Sequence, residues 1–513
     1  MRNKWVQKLF LRRMFVALLL LAQIGFLVFI MTRGGKVASV ITASMELLSV
    51  FIVLYIVSKK EKPAYKLVWV VLVLAVPVFG ALLYLIIKFQ TSRRIMTRRI
   101  GEIENNTRPC MAMGNDCLKQ ACADCASYVR DMQYLQEYTQ FPVCAQTTTQ
   151  YYSPGEKMMP LLLADLEKAE HYIFMEYFIM QEGKLWNSVL EILERKAKQG
   201  VEVRVMFDDM GCFLTLPADY AQQLEAKGIK ARVFNPFVPV LSSIQNNRDH
   251  RKITSVDGKI AHTGGINMAD EYINEFEKHG YWKDSGIRLE GDAAWSLTVI
   301  FMQLWNLGLP KDAQDDVEEY FPWKEQPCTQ PHDGYVIPYA DSPMDREDIS
   351  EHVYLQIINQ AHKTLYITTP YFIVDDNILS ALRLAAKSGV DVRIITPAHW
   401  DKRLVHITTR SFYHDLVEAG VKVYEYTPGF IHSKVFVADG KVATVGTINL
   451  DFRSLYLHFE CGVWMCGSTA VAQAEQDFLE TLNVCKPILL EDCRKINGHP
   501  LVQEVLRVFA PLL

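Results

Sequence analysis

Two stretches of this 513-residue chain carry the same polar residues at the same spacing, and that duplication narrows the possible folds sharply. His250, Lys252 and Asp257 in HRKITSVD are followed by Gly264, Gly265 and Asn267 in GGIN. His432, Lys434 and Asp439 in HSKVFVAD are followed by Gly446, Thr447 and Asn449 in GTIN, and each of these positions is offset from its counterpart by 182 residues. The surroundings repeat as well. YIFMEYFIM at 172–180 pairs with LYITTPYFI at 365–373, QGVEVRVMFDD at 199–209 with SGVDVRIITPA at 388–398, and AKGIKARVF at 226–234 with EAGVKVYEY at 418–426. A repeat of this kind implies two copies of one supersecondary plan.

Within each copy, short runs rich in Val, Ile, Phe and Tyr follow glycine turns and read as strands. Helical patterns such as 185–198 and 377–387 lie between them. Alternation of this sort predicts an α/β sandwich with mainly parallel strands in each half. Residues 323–345 hold four prolines and read as the linker between halves. The expected organisation is an N-terminal anchor over 1–90, a connecting segment over 91–149, a first α/β domain over 150–325 and a second over 326–513.

Histidine and lysine two apart on a strand point to the same face. Each copy thus delivers an imidazole and an ammonium side by side. The chain then turns at Asp257-Gly258 or Asp439-Gly440, and the returning strand brings an amide, Asn267 or Asn449, nearby. Imidazoles can attack phosphorus and move protons, while ammonium and amide groups can hold phosphate oxygens. The duplicated pattern, HxKxxxxD followed by G-[GST]-x-N, resembles the phospholipase D superfamily over about residues 150–513. The resemblance implies that both motifs face one active site. It implies His250 as nucleophile and His432 as acid and base, with the reverse assignment left open by the symmetry of the motifs. Lys252, Lys434, Asn267 and Asn449 would grip the phosphate. Asp284 in YWKDSG and Glu460 in LHFECG would orient the histidines across the halves. Asp257 and Asp439 are expected to be structural. No metal and no cofactor are required by this chemistry.

The first ninety residues are strongly apolar. Residues 14–32 carry no charge and follow Arg2, Lys4, Lys8, Arg12 and Arg13; no clear A-x-A cleavage site follows, which favours a retained helix over a signal peptide. Residues 37–57, with Glu46 as their only charge, and residues 67–87, containing Pro77 and Gly80, complete three expected transmembrane segments. A multi-pass cell-membrane protein is therefore expected. Lys59, Lys60, Lys62 and Lys66 and then Arg93, Arg94, Arg98 and Arg99 flank the third run on both sides, so the sidedness of the large domains stays open. A re-entrant segment would remove the conflict.

Within the superfamily, LVLAVPVFGALLYLIIKF, TTPYFIVDD at 368–376 and GTINLDFRSLYLHFE at 446–460 resemble bacterial cardiolipin synthases. His458 departs from that pattern, where asparagine is expected. The resemblance implies that phosphatidylglycerol and membrane lipid are the partners, and that two phosphatidylglycerols are joined with release of glycerol. A phospholipase D or headgroup-exchange enzyme using another alcohol or water is the alternative. A nucleic-acid partner is not expected: the net charge is −4, and no basic groove with stacking aromatics is evident. Residues 236–244, PFVPVLSSI, read either as a lipid-dipping stretch or as a buried loop. Of the eleven cysteines, Cys110, Cys117, Cys122 and Cys125 lie close in sequence, as a zinc or redox site or as free thiols on a helical segment. The oligomeric state is not legible.

Overall fold

The repeated sequences form two sheets of matching strand order. The computed structural model describes residues 35–88, 91–111, 117–238, 243–496 and 500–512, with the single positions 21, 25 and 32. The first sheet is built from β1 (Thr147–Tyr152), β2 (Tyr172–Tyr177), β3 (Glu202–Asp208), β4 (Lys230–Phe234), β5 (Lys252–Val256), β6 (Ile260–Gly264) and β8 (Gly286–Gly291); β7 (Tyr281–Lys283) stands apart from it. Its order is β1-β8-β6-β5-β2-β3-β4. The second half contributes β9 (Tyr335–Asp341), β10 (Thr364–Thr368), β11 (Phe372–Ile373), β12 (Asp391–Pro397), β13 (Lys422–Tyr426), β14 (Gly429–Ile431), β15 (Val435–Ala438), β16 (Val442–Gly446), β17 (Leu450–Asp451), β18 (Glu460–Cys466) and β19 (Cys485–Ile488). Read from the other edge, its sheet runs β9-β18-β16-β15-β10-β12-β13-β19. That is the first order with one strand added.

The sheets are mixed rather than mainly parallel. β2, β3 and β4 pair in parallel, as do β10, β12 and β13, because amphipathic helices cross between them. One such helix, Lys184–Lys198, buries Leu185, Trp186, Val189, Ile192 and Leu193 at helical spacing. The motif strands are antiparallel hairpins, β5 with β6 and β15 with β16. Their tight Asp-Gly turns allow no crossover helix, so the parallel expectation fails where the chemistry lies.

Residues 323–345 are not only a linker. They contain β9, paired antiparallel with β18 at the sheet edge. An edge strand tolerates Pro338, whose missing N–H would disrupt a central ladder. Helix Asp292–Leu307 is buried on nearly every side, since it packs against both the first sheet and β9.

The aspartates of the two motifs clamp the hairpin turns. Asp257 and Gly258 have φ of 51° and 63°, and Asp439 and Gly440 have 55° and 61°, the geometry of a two-residue turn matched to strand twist. Asp257 accepts hydrogen bonds from the backbone N–H of Glu170, His171 and Tyr172 at 2.8, 2.8 and 2.7 Å. Asp439 accepts from the N–H of His362, Lys363 and Thr364 and from the Tyr128 hydroxyl. Each carboxylate thus ties its turn to the start of the neighbouring strand.

The described residues of Met1–Met96, Phe237–Asn247 and Glu504–Leu513 gather in a separate compact unit. Helices Lys36–Ser58, Pro63–Ala75 and Pro77–Lys88 pack there around Ile52, Ile56, Val73, Ala81 and Tyr84. The expectation of spanning helices over 37–57 and 67–87 is corrected: among the described residues, no helix is long and apolar enough to cross a membrane. Residues 14–32 lie outside the described residues apart from positions 21, 25 and 32. The third run is broken at Val76, because a residue before proline is disfavoured in helical conformation and Pro77 opens a new helix. The helix over the second run carries Thr42, Ser44, Glu46 and Ser49, which dilute its apolar character. In the stretch 236–244, Phe237 is buried and Val238 exposed, while 239–242 lie outside the described residues.

The four clustered cysteines are not brought together as metal ligands among the described residues. Cys125 is joined in a disulfide to Cys466 in β18, and Cys110, Cys117 and Cys122 form no disulfide. Cys110 lies on helix Thr91–Met111, whereas Cys117 and Cys125 cap the short helix Leu118–Asp124 that contains Cys122, and the disulfide commits the Cys125 sulfur to β18.

The clamp generates a prediction. Asp257→Ala strips the acceptor from three backbone N–H groups and should destabilise the fold by at least about 2 kcal/mol, read as a lower denaturation midpoint. Activity per folded molecule should change little; a collapse of turnover at full stability would show that Asp257 takes part in the chemistry.

Candidate active site

Each motif histidine is set in place by the opposite half. Asp249 forms a parallel bridge with Phe459; the His250 N–H donates to the Phe459 carbonyl at 2.9 Å, and the Phe459 N–H donates to the Arg248 carbonyl at 2.9 Å. On the other side β14 pairs in parallel with β7, and the His432 N–H donates to the Lys283 carbonyl at 2.7 Å. The backbone entering each motif therefore pairs with the residue just before the other half's carboxylate. That register brings His250 Nδ1 to 2.9 and 3.1 Å from the Glu460 oxygens. It brings His432 Nδ1 to 2.6 Å from Asp284 Oδ2. Both rings and both carboxylates are buried.

The carboxylates are in turn held. The Thr447 hydroxyl donates to Glu460, and the Ser285 N–H donates to Asp284 at 2.8 Å. Gly265, which replaces threonine at the equivalent place of the first motif, leaves room for Asp284: a Cβ there would lie 2.1 Å from Asp284 Oδ1. The chain into the first motif is anchored by Arg248, whose guanidinium binds buried Asp208 at 2.9–3.0 Å.

The lysines point inward beside the rings. Lys252 Nζ and Lys434 Nζ donate to the carbonyls of His250 and His432 respectively, and both are buried. Asn267 accepts from the Ile179 N–H at 3.0 Å and donates to the Tyr272 hydroxyl at 2.7 Å. Asn449 donates to the Ser454 hydroxyl at 3.1 Å, and its Oδ1 is buried without a hydrogen-bond partner. Each ammonium has three donor hydrogens and each amide two, so each side chain retains donors for a ligand. Aromatic walls complete the site. Phe178 lies 5.0 Å from the His250 ring, and Trp282 and Tyr272 lie 5.3 and 5.7 Å from the His432 ring.

Burial sets the protonation states. It pulls His250 down to about 3 and, with help from Lys434, His432 down to about 4, so both rings are neutral near pH 7. Burial works against the carboxylates too, but His250 holds Glu460 below the usual range, and His432 and Lys434 do the same for Asp284. A neutral ring beside an ionised carboxylate carries its proton on Nδ1, which leaves Nε2 with the free lone pair. Burial also lowers Lys252 to about 8 and Lys434 to about 7. Two nucleophilic nitrogens beside two ammonium donors suit an anionic, tetrahedral reacting centre.

The structure thus brings His250, Lys252, Glu460, His432, Lys434 and Asp284 into one electrostatic neighbourhood, in which Lys252 is felt by both His432 and Lys434. Asp257 and Asp439 stand apart at the turns. Sequence reasoning missed Thr447 as a carboxylate partner and Tyr272 and Trp282 as ring neighbours. Thr447 was visible within the second motif and Trp282 two places before Asp284, but their contacts depend on packing between elements.

The neutral histidines make stability pH-dependent. Their folded values lie below the ordinary 6.5, so the unfolded chain binds more protons between those limits. Stability is fully present above about pH 6.5 and falls as the pH drops, by up to about 1.4 kcal/mol per pH unit for each ring. Denaturant midpoints should therefore decline from pH 7 to pH 5, less steeply in His250→Asn. A flat profile in the wild-type protein would contradict neutral buried rings.

Comparison with known proteins matches this geometry to a family. The cardiolipin synthase, phospholipase D-like domain model matches twice, over residues 162–285 and 354–482, one match in each half. The phospholipase D-nuclease N-terminal model matches residues 47–88. An uncharacterized protein of Streptococcus mutans is 41% identical, covering 90% of this chain and 99% of its own length. A cardiolipin synthase of Geobacillus is 33% identical, with coverage of 93% and 95%, and cardiolipin synthase 2 of Bacillus anthracis is 32% identical, with 89% and 88%. The crystal structure of a phosphatidylserine synthase from Haemophilus influenzae shares the fold, with a TM-score of 0.53 at 16% identity over 75% of this chain and 97% of that one. The chain belongs to the cardiolipin synthase family of phospholipase D-like phosphatidyltransferases.

Proposed function

We propose that this enzyme is a cardiolipin synthase that transfers a phosphatidyl group from one phosphatidylglycerol to another through a phosphohistidine. The observation that carries the chemistry is the pair of neutral imidazoles, each with Nδ1 on a carboxylate of the other half. Full-length similarity to cardiolipin synthases supports the choice of substrate.

In the first step, His250 Nε2 attacks phosphorus. A P–N bond forms as the P–O bond to glycerol breaks, and His432 gives a proton to the leaving oxygen. His432 is neutral in the free site, held so by burial and Lys434. The phosphate charge of the arriving lipid offsets the lysines and eases protonation there. Lys252, Lys434, Asn267 and Asn449 bind the non-bridging oxygens as charge builds. In the second step, His432 takes a proton from the terminal hydroxyl of another phosphatidylglycerol. That oxygen attacks phosphorus, the P–N bond breaks, and cardiolipin leaves. One phosphodiester replaces another, so no nucleotide is needed.

Purified protein given phosphatidylglycerol alone should yield cardiolipin and glycerol in equal amounts. Phosphatidic acid as the main product would instead identify a hydrolase. His250→Ala and His432→Ala should each lower turnover by at least about 10³, with the double variant little worse, since the two rings act as a unit. A phosphatidyl donor with a leaving group that needs no proton should load an acid-labile adduct onto the His250 peptide of His432→Ala protein. An adduct on His432 in the wild type would reverse the roles.

The apolar N-terminal region is proposed to hold the enzyme to the bilayer. Helix Lys36–Ser58 leaves Val40, Leu47, Phe51 and Leu54 largely exposed, an apolar surface suited to lipid. The broken third run fits a re-entrant or interfacial segment, the arrangement that reconciles the basic residues on both of its sides. Replacing Phe51 and Leu54 together by Asp should reduce co-sedimentation with phosphatidylglycerol vesicles. Undiminished binding would remove this face from the account.

A further inference from the structure

Beside one of the two histidine–carboxylate pairs stands an imidazole that the reaction does not use. His458 lies two residues before Glu460, and its ring is 5.5 Å from that of His250. Its side chain is 10% exposed, and neither ring nitrogen has a hydrogen-bond partner. Buried polar groups are normally satisfied, so such a ring calls for an explanation. His458 is also the one residue in its segment that departs from the asparagine expected there.

We propose that His250, His458 and Glu460 form a binding site for a borderline-soft divalent cation of the Zn²⁺ class, and that an ion bound there takes His250 out of catalysis. The three side chains offer donor atoms that all lie within 4.8 Å of one another. His250 Nδ1 and His458 Nδ1 are 2.9 and 3.8 Å from the same oxygen, Glu460 Oε1. Ligand bonds of about 2.0–2.2 Å in a tetrahedral site set neighbouring donors a little over 3 Å apart, so small side-chain shifts close this triad around an ion. Two imidazoles and one carboxylate favour Zn²⁺, Co²⁺ or Ni²⁺ over Mg²⁺ or Ca²⁺, which prefer all-oxygen shells.

The opposite pair lacks the third ligand. Trp282 holds the position two residues before Asp284, and its ring lies 5.3 Å from that of His432. The site is therefore one-sided despite the repeated fold. Lys252 opposes a cation electrostatically, and the buried Glu460 carboxylate counters it. Inhibition follows from the tautomer: a neutral imidazole that ligates through Nδ1 carries its hydrogen on Nε2, so the attacking lone pair is gone. This second part rests on His250 being the nucleophile; the binding part does not.

The test uses the full-length wild-type protein, His458→Asn and, as a second variant, His458→Gln. Co²⁺ added to metal-free wild type should give visible d–d absorption without the near-ultraviolet thiolate band that binding to cysteine would produce. Both variants should lose it while keeping wild-type melting behaviour. In the transferase assay, Zn²⁺ should inhibit the wild type reversibly, with activity restored by a chelator. The variants should turn over in its absence and need at least about tenfold more Zn²⁺ for the same inhibition. The same cobalt spectrum in wild type and variants, a thiolate-type spectrum, or equal sensitivity to Zn²⁺ would overturn the site. A His458-dependent cobalt spectrum together with full activity of the loaded enzyme would overturn the inhibitory part alone. Substantial turnover by His250→Asn would instead count against the catalytic scheme, whatever the cobalt result.

Discussion

The site depends on a hydrogen bond that neither half can make alone. His250 from the first half is held by Glu460 from the second, and His432 from the second by Asp284 from the first. Each bond fixes a tautomer, aims a lone pair, and satisfies a carboxylate that would otherwise be costly to bury. A buried ion left without its partner costs far more than a surface one. Separation of the halves would orphan two carboxylates and two imidazoles at once, so the chemistry and the interface are one structural commitment.

The backbone prepares that exchange before any side chain acts. The segment entering each motif forms a short parallel pairing with the segment before the other half's carboxylate. The aspartates of the same motifs do a different task. They hold the two Asp-Gly turns against neighbouring strands, keeping each hairpin in register. Residues five or seven positions apart in sequence thus divide into a site-facing end and a turn-holding end of one hairpin. The duplication is symmetric in plan but not in detail: Thr447 steadies Glu460 with its hydroxyl, whereas Gly265 yields space to Asp284.

Several sequence expectations failed for local reasons. Parallel pairing was read from the helix–strand alternation and holds for β2–β4 and for β10, β12 and β13, but the motif hairpins reverse direction. The prolines of 323–345 suggested a linker, yet Pro338 lies in an edge strand, where a missing donor costs little. Hydropathy treated 67–87 as one run because it does not weigh the conformational restriction that Pro77 places on Val76. Cys110, Cys117, Cys122 and Cys125 read in sequence either as a zinc or redox site or as thiols on a helical segment; among the described residues they are not gathered as metal ligands, and Cys125 is paired with Cys466.

The amino-acid sequence by itself determined the repeat, the alternation of helix and strand, the two hairpins with their Asp-Gly turns, and the residue types able to handle a phosphodiester. These follow from short-range rules: periodicity, turn chemistry and motif spacing all act within a few residues. Only the tertiary structure decided that His250 meets Glu460 across 210 positions, that burial keeps both imidazoles neutral, and that His458 stands 3.8 Å from Glu460 beside one pair, with no counterpart beside the other. Those outcomes arise from desolvation and from contacts between distant elements, which become definite only once the two sheets have packed.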